Sequence, residues 1–118
     1  MGVMKLIRAI IRPEATQRVI DALEHIDIYA MTRMNVTGRG REMGISVGEM
    51  RYTEIPKEML MIEIPDQKVA KTISAIMNSA RTAATTSGSP GTLGDGKIFV
   101  SDVVASYIIR TGQEQEGP

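Results

Sequence analysis

Twice in this chain a short apolar run stops at a proline and gives way to a one-faced helical pattern, and this doubled unit restricts the fold more than any other feature. Residues 4–11, Met-Lys-Leu-Ile-Arg-Ala-Ile-Ile, alternate loosely like a strand and end just before Pro13, which suits the first turn of a helix. Ala15, Val19, Ala22, Leu23 and Ile26 then recur at spacings of three and four, predicting a helix over 14–26 with one apolar stripe. The second copy has a strand over 58–64, a helix start at Pro65 and Asp66, and a stripe of Val69, Ile73, Ile76, Met77 and Ala80. Between and after the copies, residues 29–36, 97–103 and 105–111 read as strands. The order predicts an α+β, ferredoxin-like βαββαβ fold with a short extra C-terminal strand, its antiparallel sheet carrying both helices on one face. The run Met59-Leu60-Met61-Ile62 is apolar on both sides, so the bare sheet face is expected to meet further subunits in a cyclic oligomer.

Two segments obey neither period. Residues 38–48 are polar and punctuated by glycine, and the sequence reads as a long loop from there to Pro56. Residues 85–92, Thr-Thr-Ser-Gly-Ser-Pro-Gly-Thr, form a low-complexity connector, and the tail past Gly112 is expected to be mobile.

A chain of 118 residues makes one domain with a single core. Its 14 basic residues balance its 14 acidic ones, so no broad surface for nucleic acid or anionic membrane is expected. No apolar stretch approaches the ~20 residues of a membrane span, no secretory signal region is evident, and cysteine is absent, all compatible with a cytoplasmic protein. Aromatic residues are only 3% of the chain, so Met31, Met34, Met59 and Met61 read as core fillers rather than as a soft-metal site.

Catalytic chemistry has few candidates. His25, the single histidine, falls at the end of the first helix and reads as a surface residue. Glu42, Glu49, Glu54 and Glu58 match no paired-acid or calcium-loop spacing and read as solvated loop charges. Gly94-Asp95-Gly96-Lys97 has two readings, an ordinary turn into a strand or a loop whose backbone N–H groups and lysine receive a phosphate. Gly38-Arg39-Gly40-Arg41, Lys57 and Arg110 add glycines and cations near other strand ends, so the sheet could gather them around one polyphosphate.

Across residues 4–112 the chain resembles the PII signal-transduction family. The resemblance is carried by Lys5 to Pro13, Met31-Thr32, Val36 to Arg41, Ile55-Pro56-Lys57, Arg81-Thr82-Ala83, Gly94 to Val100 and Ile109-Arg110-Thr111-Gly112, all in the family's order. It implies a PII-like domain over 1–112, with a T-loop at 39–56, an extended B-loop at 83–96 and a flexible tail at 113–118. It also implies a homotrimeric ring that binds ATP or ADP between subunits and 2-oxoglutarate with Mg2+ at the T-loop base, a sensor rather than an enzyme. By position, Ile10, Thr32, Gly38, Arg41, Gly94, Asp95, Gly96, Lys97 and Arg110 would bind nucleotide. Gly40, Glu42 and Lys57 would bind 2-oxoglutarate, Glu42 would meet the metal, and Arg39, Arg51 and Tyr52 would dock a partner.

Several positions depart from the common pattern. The family's glutamine is Glu42 here, which favours Mg2+ but repels a dianion. Ile108 replaces an arginine, the T-loop is shorter, and Tyr52 is out of register with the modified tyrosine of the glutamine-synthetase regulators. These features are most similar to PII-like proteins encoded with nitrogenase. That subgroup implies pairing with a second PII-like paralogue and inhibition of dinitrogenase, the alternative being control of an ammonium transporter or glutamine synthetase. A metal-tolerance protein of the same fold would leave Gly94 to Lys97 and Arg110 without purpose.

Overall fold

The computed structural model describes residues 3–43, 50–82 and 94–115, with side chains described at 3–39, 54–82 and 94–115. The elements are β1 (Met4–Ile11), a 3-10 turn (Pro13–Ala15) leading into α1 (Thr16–Glu24), β2 (Thr32–Met43), β3 (Met50–Pro65), a second 3-10 turn (Asp66–Lys68) leading into α2 (Val69–Ala80), and β4 (Gly96–Asp102). Both prolines act as the sequence suggests. Pro13 opens the first turn directly, while Pro65, still extended, caps the second. The strands pair antiparallel in the order β2-β3-β1-β4, so the fold is the expected α+β, ferredoxin-like arrangement.

Strand alternation divides the sheet into two unlike faces. Ile7, Ala9 and Ile11 of β1 and Leu60, Ile62 and Ile64 of β3 pack with Val19 and Leu23 of α1 and Ile76 and Ala80 of α2. Ile7, Val19, Leu23 and Leu60 are fully enclosed, each contributing about 1.5–3 kcal/mol of burial. The opposite face, bare of helices, presents Leu6, Arg8 and Ile10 of β1 beside Met59, Met61 and Glu63 of β3.

Several expectations change. Met34, Met59 and Met61 are not core fillers: Met34 pairs with Met59 on the bare face, because they alternate with the buried Leu60 and Ile62. The long loop read over 38–56 is largely strand, with β2 and β3 paired from Thr32↔Met61 to Met43↔Met50 and only 44–49 lying outside the described residues. Polar and glycine-rich residues sustain this ribbon because the backbone ladder satisfies N–H and C=O groups whatever the side chains. The closing strand expected over 105–111 is reduced to one bridge, Tyr107 with Glu114, inside a turn. There Gly112 donates to the Ile108 carbonyl at 2.7 Å and Ile108 to that of Gln113 at 2.9 Å, so residues 113–115 are bonded back to the chain. The connector at 83–93 and the tail at 116–118 lie outside the described residues.

Glu58, read as a solvated loop charge, is buried on the helix side of β3. Its Oε1 accepts from Arg33 Nε at 3.1 Å and Nη2 at 2.8 Å, and its Oε2 accepts the hydroxyl of Thr16. Arg33 first, and Thr16 second, hold the Glu58 carboxyl below its ordinary range. A carboxylate depressed by folding stabilises fully above its unfolded value of about 4.3, and that contribution is lost as pH falls through the lower folded value. The melting temperature of the wild type should therefore exceed that of Glu58→Gln near neutrality. Thermal unfolding followed between pH 6 and 3 should show that advantage shrinking on acidification, because the Glu58 carboxylate takes up a proton while Gln does not titrate.

Candidate anion-binding site at the root of the hairpin

Where β1 stops and β4 begins, three pieces of chain converge: Arg12, Lys57 and the turn at 94–96. Lys57 is only 9% exposed. Its stem lies over Gly38, where an added Cβ would sit 3.2 Å from Lys57 Cγ, and its Nζ donates to the Gly94 carbonyl. Arg12 Nε donates to Asp95 Oδ1 at 3.1 Å. A Cβ at Gly94 would lie 3.0 Å from Arg12 Nη2 and 3.8 Å from Lys57 Nζ, so both cations border one small volume. Burial first, and the Arg12 guanidinium second, push Lys57 below the ordinary lysine value. An anion between the two would relieve both penalties.

The turn itself is firmly built. Asp95 accepts from the Thr82 N–H at 3.0 Å and the Thr82 hydroxyl at 2.5 Å as well as from Arg12, tying β4 to the end of α2 and to β1. Gly94 and Gly96 adopt φ of 92° and 124°, where side chains are strained, and a Cβ at Gly96 would sit 1.9 Å from the Ile10 carbonyl oxygen. Beside Lys57 lies an open hollow of about 540 Å³ lined by Pro13, Asn35, Val36, Thr37 and Pro56.

The residues singled out from sequence fall into groups. Ile10, Thr32, Gly38 and Lys97 share the bare sheet face, Ile10 lying directly opposite both Lys97 and Met59. Lys97 is exposed, with Nζ 5.4 Å from the Phe99 ring centroid, a cation–π contact. Lys57 joins Gly94 and Asp95, as described. Arg110 stands apart in the exposed turn after Tyr107, with no ion pair among the described residues. Arg39 is exposed on β2 opposite Glu54. The backbones of Gly40, Arg41 and Glu42 belong to β2, with Arg41 opposite Tyr52 and Glu42 opposite Arg51, while their side chains lie outside the described residues. His25 is an exposed residue at the end of α1, its Nδ1 2.9 Å from the Asp21 carbonyl oxygen.

Arg12 was missed by the sequence reading. The signal was a cation placed between the apolar run of β1 and the helix-starting Pro13, which puts it at the sheet end shared with Lys57 and Gly94. Among the described residues no group of His, Cys, Asp or Glu is arranged to hold a metal, and no helix is long and apolar enough to cross a membrane.

This geometry can be set beside known proteins. The family model described as "Nitrogen regulatory protein P-II" matches residues 4–113, nearly the whole chain. The chain belongs to the P-II family. Curated P-II relatives include "Nitrogen fixation nifHD2 region GlnB-like protein 1" of Methanosarcina barkeri, 42% identical over 94% of this chain and 98% of the relative. The corresponding nifHD region protein of Methanothermococcus thermolithotrophicus is 40% identical over 93% and 97%, and "Nitrogen regulatory protein P-II 1" of Methanothermobacter thermautotrophicus is 43% identical over 96% and 95%. Among solved P-II structures, that of Arabidopsis thaliana PII bound to citrate superposes with a TM-score of 0.73 at 30% identity, covering 98% of this chain and 91% of that one.

Gly96 and Gly112, two of the three described glycines at positive φ, differ in their surroundings and make a direct test. Gly96→Ala drives a Cβ into backbone and should lower unfolding free energy by more than about 2 kcal/mol, whereas Gly112→Ala, with open space around it, should cost about 1 kcal/mol. Urea unfolding of both variants measures the difference.

Proposed function

We propose that this P-II protein is a nitrogen-status sensor that binds ATP or ADP together with 2-oxoglutarate and controls its target by docking of the β2–β3 hairpin. The observation that carries the reading is the convergence of Arg12, Lys57 and the Gly94 turn at the root of that hairpin. A dianion seated there would meet two cations already crowded against each other, one of them desolvated. The citrate in the Arabidopsis structure makes a polycarboxylate a reasonable choice of ligand class.

Nucleotide is proposed for the bare face, where Ile10, Thr32, Gly38 and Lys97 lie together. The phosphates would meet Lys97 and the N–H groups of residues 94–97, with Arg41 beside them. The Asp95 carboxylate already accepts from Arg12 and Thr82, so its part is to shape the loop rather than to touch phosphate. Such a face needs a cover, and a trimer supplies one while bringing Arg110 of a neighbouring copy within reach of the nucleotide. Mg2+ usually takes one or two carboxylates plus phosphates, which suits Glu42 as its protein ligand beside Gly40.

Control follows from differential affinity. Ligand anions neutralise Lys57 and Lys97, fix the hairpin root, and select the hairpin poses that can or cannot dock. Dinitrogenase is the proposed target, because the nifHD relatives are named for the nitrogen-fixation region. A second PII-like paralogue would be its companion there.

Titration calorimetry with MgATP, with and without 2-oxoglutarate, tests the sensor reading. Lys97→Ala should weaken MgATP by about tenfold or more, the worth of one charge-assisted bond, while Lys57→Ala should weaken the oxoacid and spare the nucleotide. Unchanged affinities in both variants would remove these assignments. A second test concerns docking: Arg39→Ala should leave MgATP bound yet reduce dinitrogenase recovered in a pull-down. Capture of an ammonium transporter or glutamine synthetase instead would move the target to the other branch of the family.

A further inference from the structure

One row of the sheet marks where the hairpin leaves it. Asn35, Glu58, Ile11 and Gly96 are successive cross-strand partners, and this is the last row to include all four strands. Beyond it β1 ends, β4 has not begun, and β2 and β3 continue alone to Met43 and Met50. Two-stranded ribbons twist and fray readily unless something holds their base.

Glu58 holds this base from the helix side. Its carboxylate joins three elements at the branch row, accepting from Arg33 of β2 and from Thr16, the first residue of α1, which is 1% exposed. The candidate site lies immediately past the same row on three strands. Lys57 is the residue before Glu58 and points to the other face, Arg12 follows Ile11, and Asp95 precedes Gly96. Rotation of β3 at this point would carry the Lys57 ammonium away from Gly94 and Arg12.

We infer that Glu58, clasped by Arg33 and Thr16, is a positioning residue that sets both the exit direction of the β2–β3 hairpin and the placing of Lys57 in the anion site. The ligand half of this inference rests on the proposed function, and the hairpin half does not. Arg33 is the natural partner for such a task because its planar guanidinium grips one carboxylate oxygen through two N–H groups, which restricts angle as well as distance.

The test uses Glu58→Gln and, so that the half-exposed Arg33 guanidinium is not left without its carboxylate, the double variant Glu58→Gln with Arg33→Met. Two readouts are taken on the whole protein: amide hydrogen exchange, and calorimetry with MgATP alone and with 2-oxoglutarate added. Exchange is expected to quicken about tenfold or more at 50–57 while Leu60 and Ile62 keep wild-type protection, and oxoacid affinity to fall about tenfold with MgATP affinity unchanged. Unchanged exchange at 50–57 would overturn the positioning role, and so would a uniform rise across 50–64 with both ligands weakened together, the mark of general destabilisation. If the wild type binds neither ligand, the proposed function fails, and the exchange pattern still decides whether Glu58 directs the hairpin.

Discussion

A sheet covered by helices on one face only must leave the other to be used, and the functional properties of this protein descend from that asymmetry. The helix side holds the aliphatic core, with Ile7, Leu23 and Leu60 sealed from solvent. The bare side mixes Met34, Met59, Met61 and Phe99 with Arg8, Glu63 and Lys97, a surface too apolar to stay wet and too charged to collapse on itself. The strand order brings the ends of β1 and β4 to the same edge as the departing hairpin, so groups far apart in sequence share one small region.

Charged groups at that edge lie on both faces of the sheet. On the helix side Glu58 has a full complement of donors, which makes it a fixed anion. Past the branch row the ammonium of Lys57 rests on a backbone carbonyl, a neutral acceptor, with the Arg12 guanidinium and, at weaker influence, the Glu14 and Asp95 carboxylates nearby. A fixed anion shapes structure; a cation held by a neutral acceptor can exchange that partner for a better one. The adjacent residues 57 and 58 thus face opposite sides of the sheet, Glu58 held by three donors and Lys57 resting on a carbonyl at the proposed site.

Much of this was legible in the sequence because periodicity is local. The stripes of α1 and α2 and the alternation of β1 announced themselves, and the two prolines punctuated them correctly. Glycine and charge between 38 and 56 suggested loop because side-chain patterning reports burial, and a two-stranded ribbon is built by backbone ladders that patterning does not record. Glu58 and Arg12 escaped for another reason: their partners Thr16 and Asp95 lie 42 and 83 residues away, so only the folded topology brings them together. The turn at Gly94 to Gly96 was legible because a glycine at positive φ is a local demand. The closing strand was overread because Ile108 and Ile109 are β-branched, yet β-branching describes a surface to be packed, and among the described residues no strand lies alongside to pack it.

The branch row also makes the hairpin a lever. From Lys57 to Met50 the ribbon runs free of the other strands for eight residues, roughly 26 Å at about 3.3 Å each. A tilt of about 10° at its root, small enough to follow from one ammonium changing partners, swings the far end by roughly 5 Å over that length. Displacement on that scale exceeds the reach of any single hydrogen bond. A fit between surfaces far from the hairpin root would thus be made or broken without any change in the core.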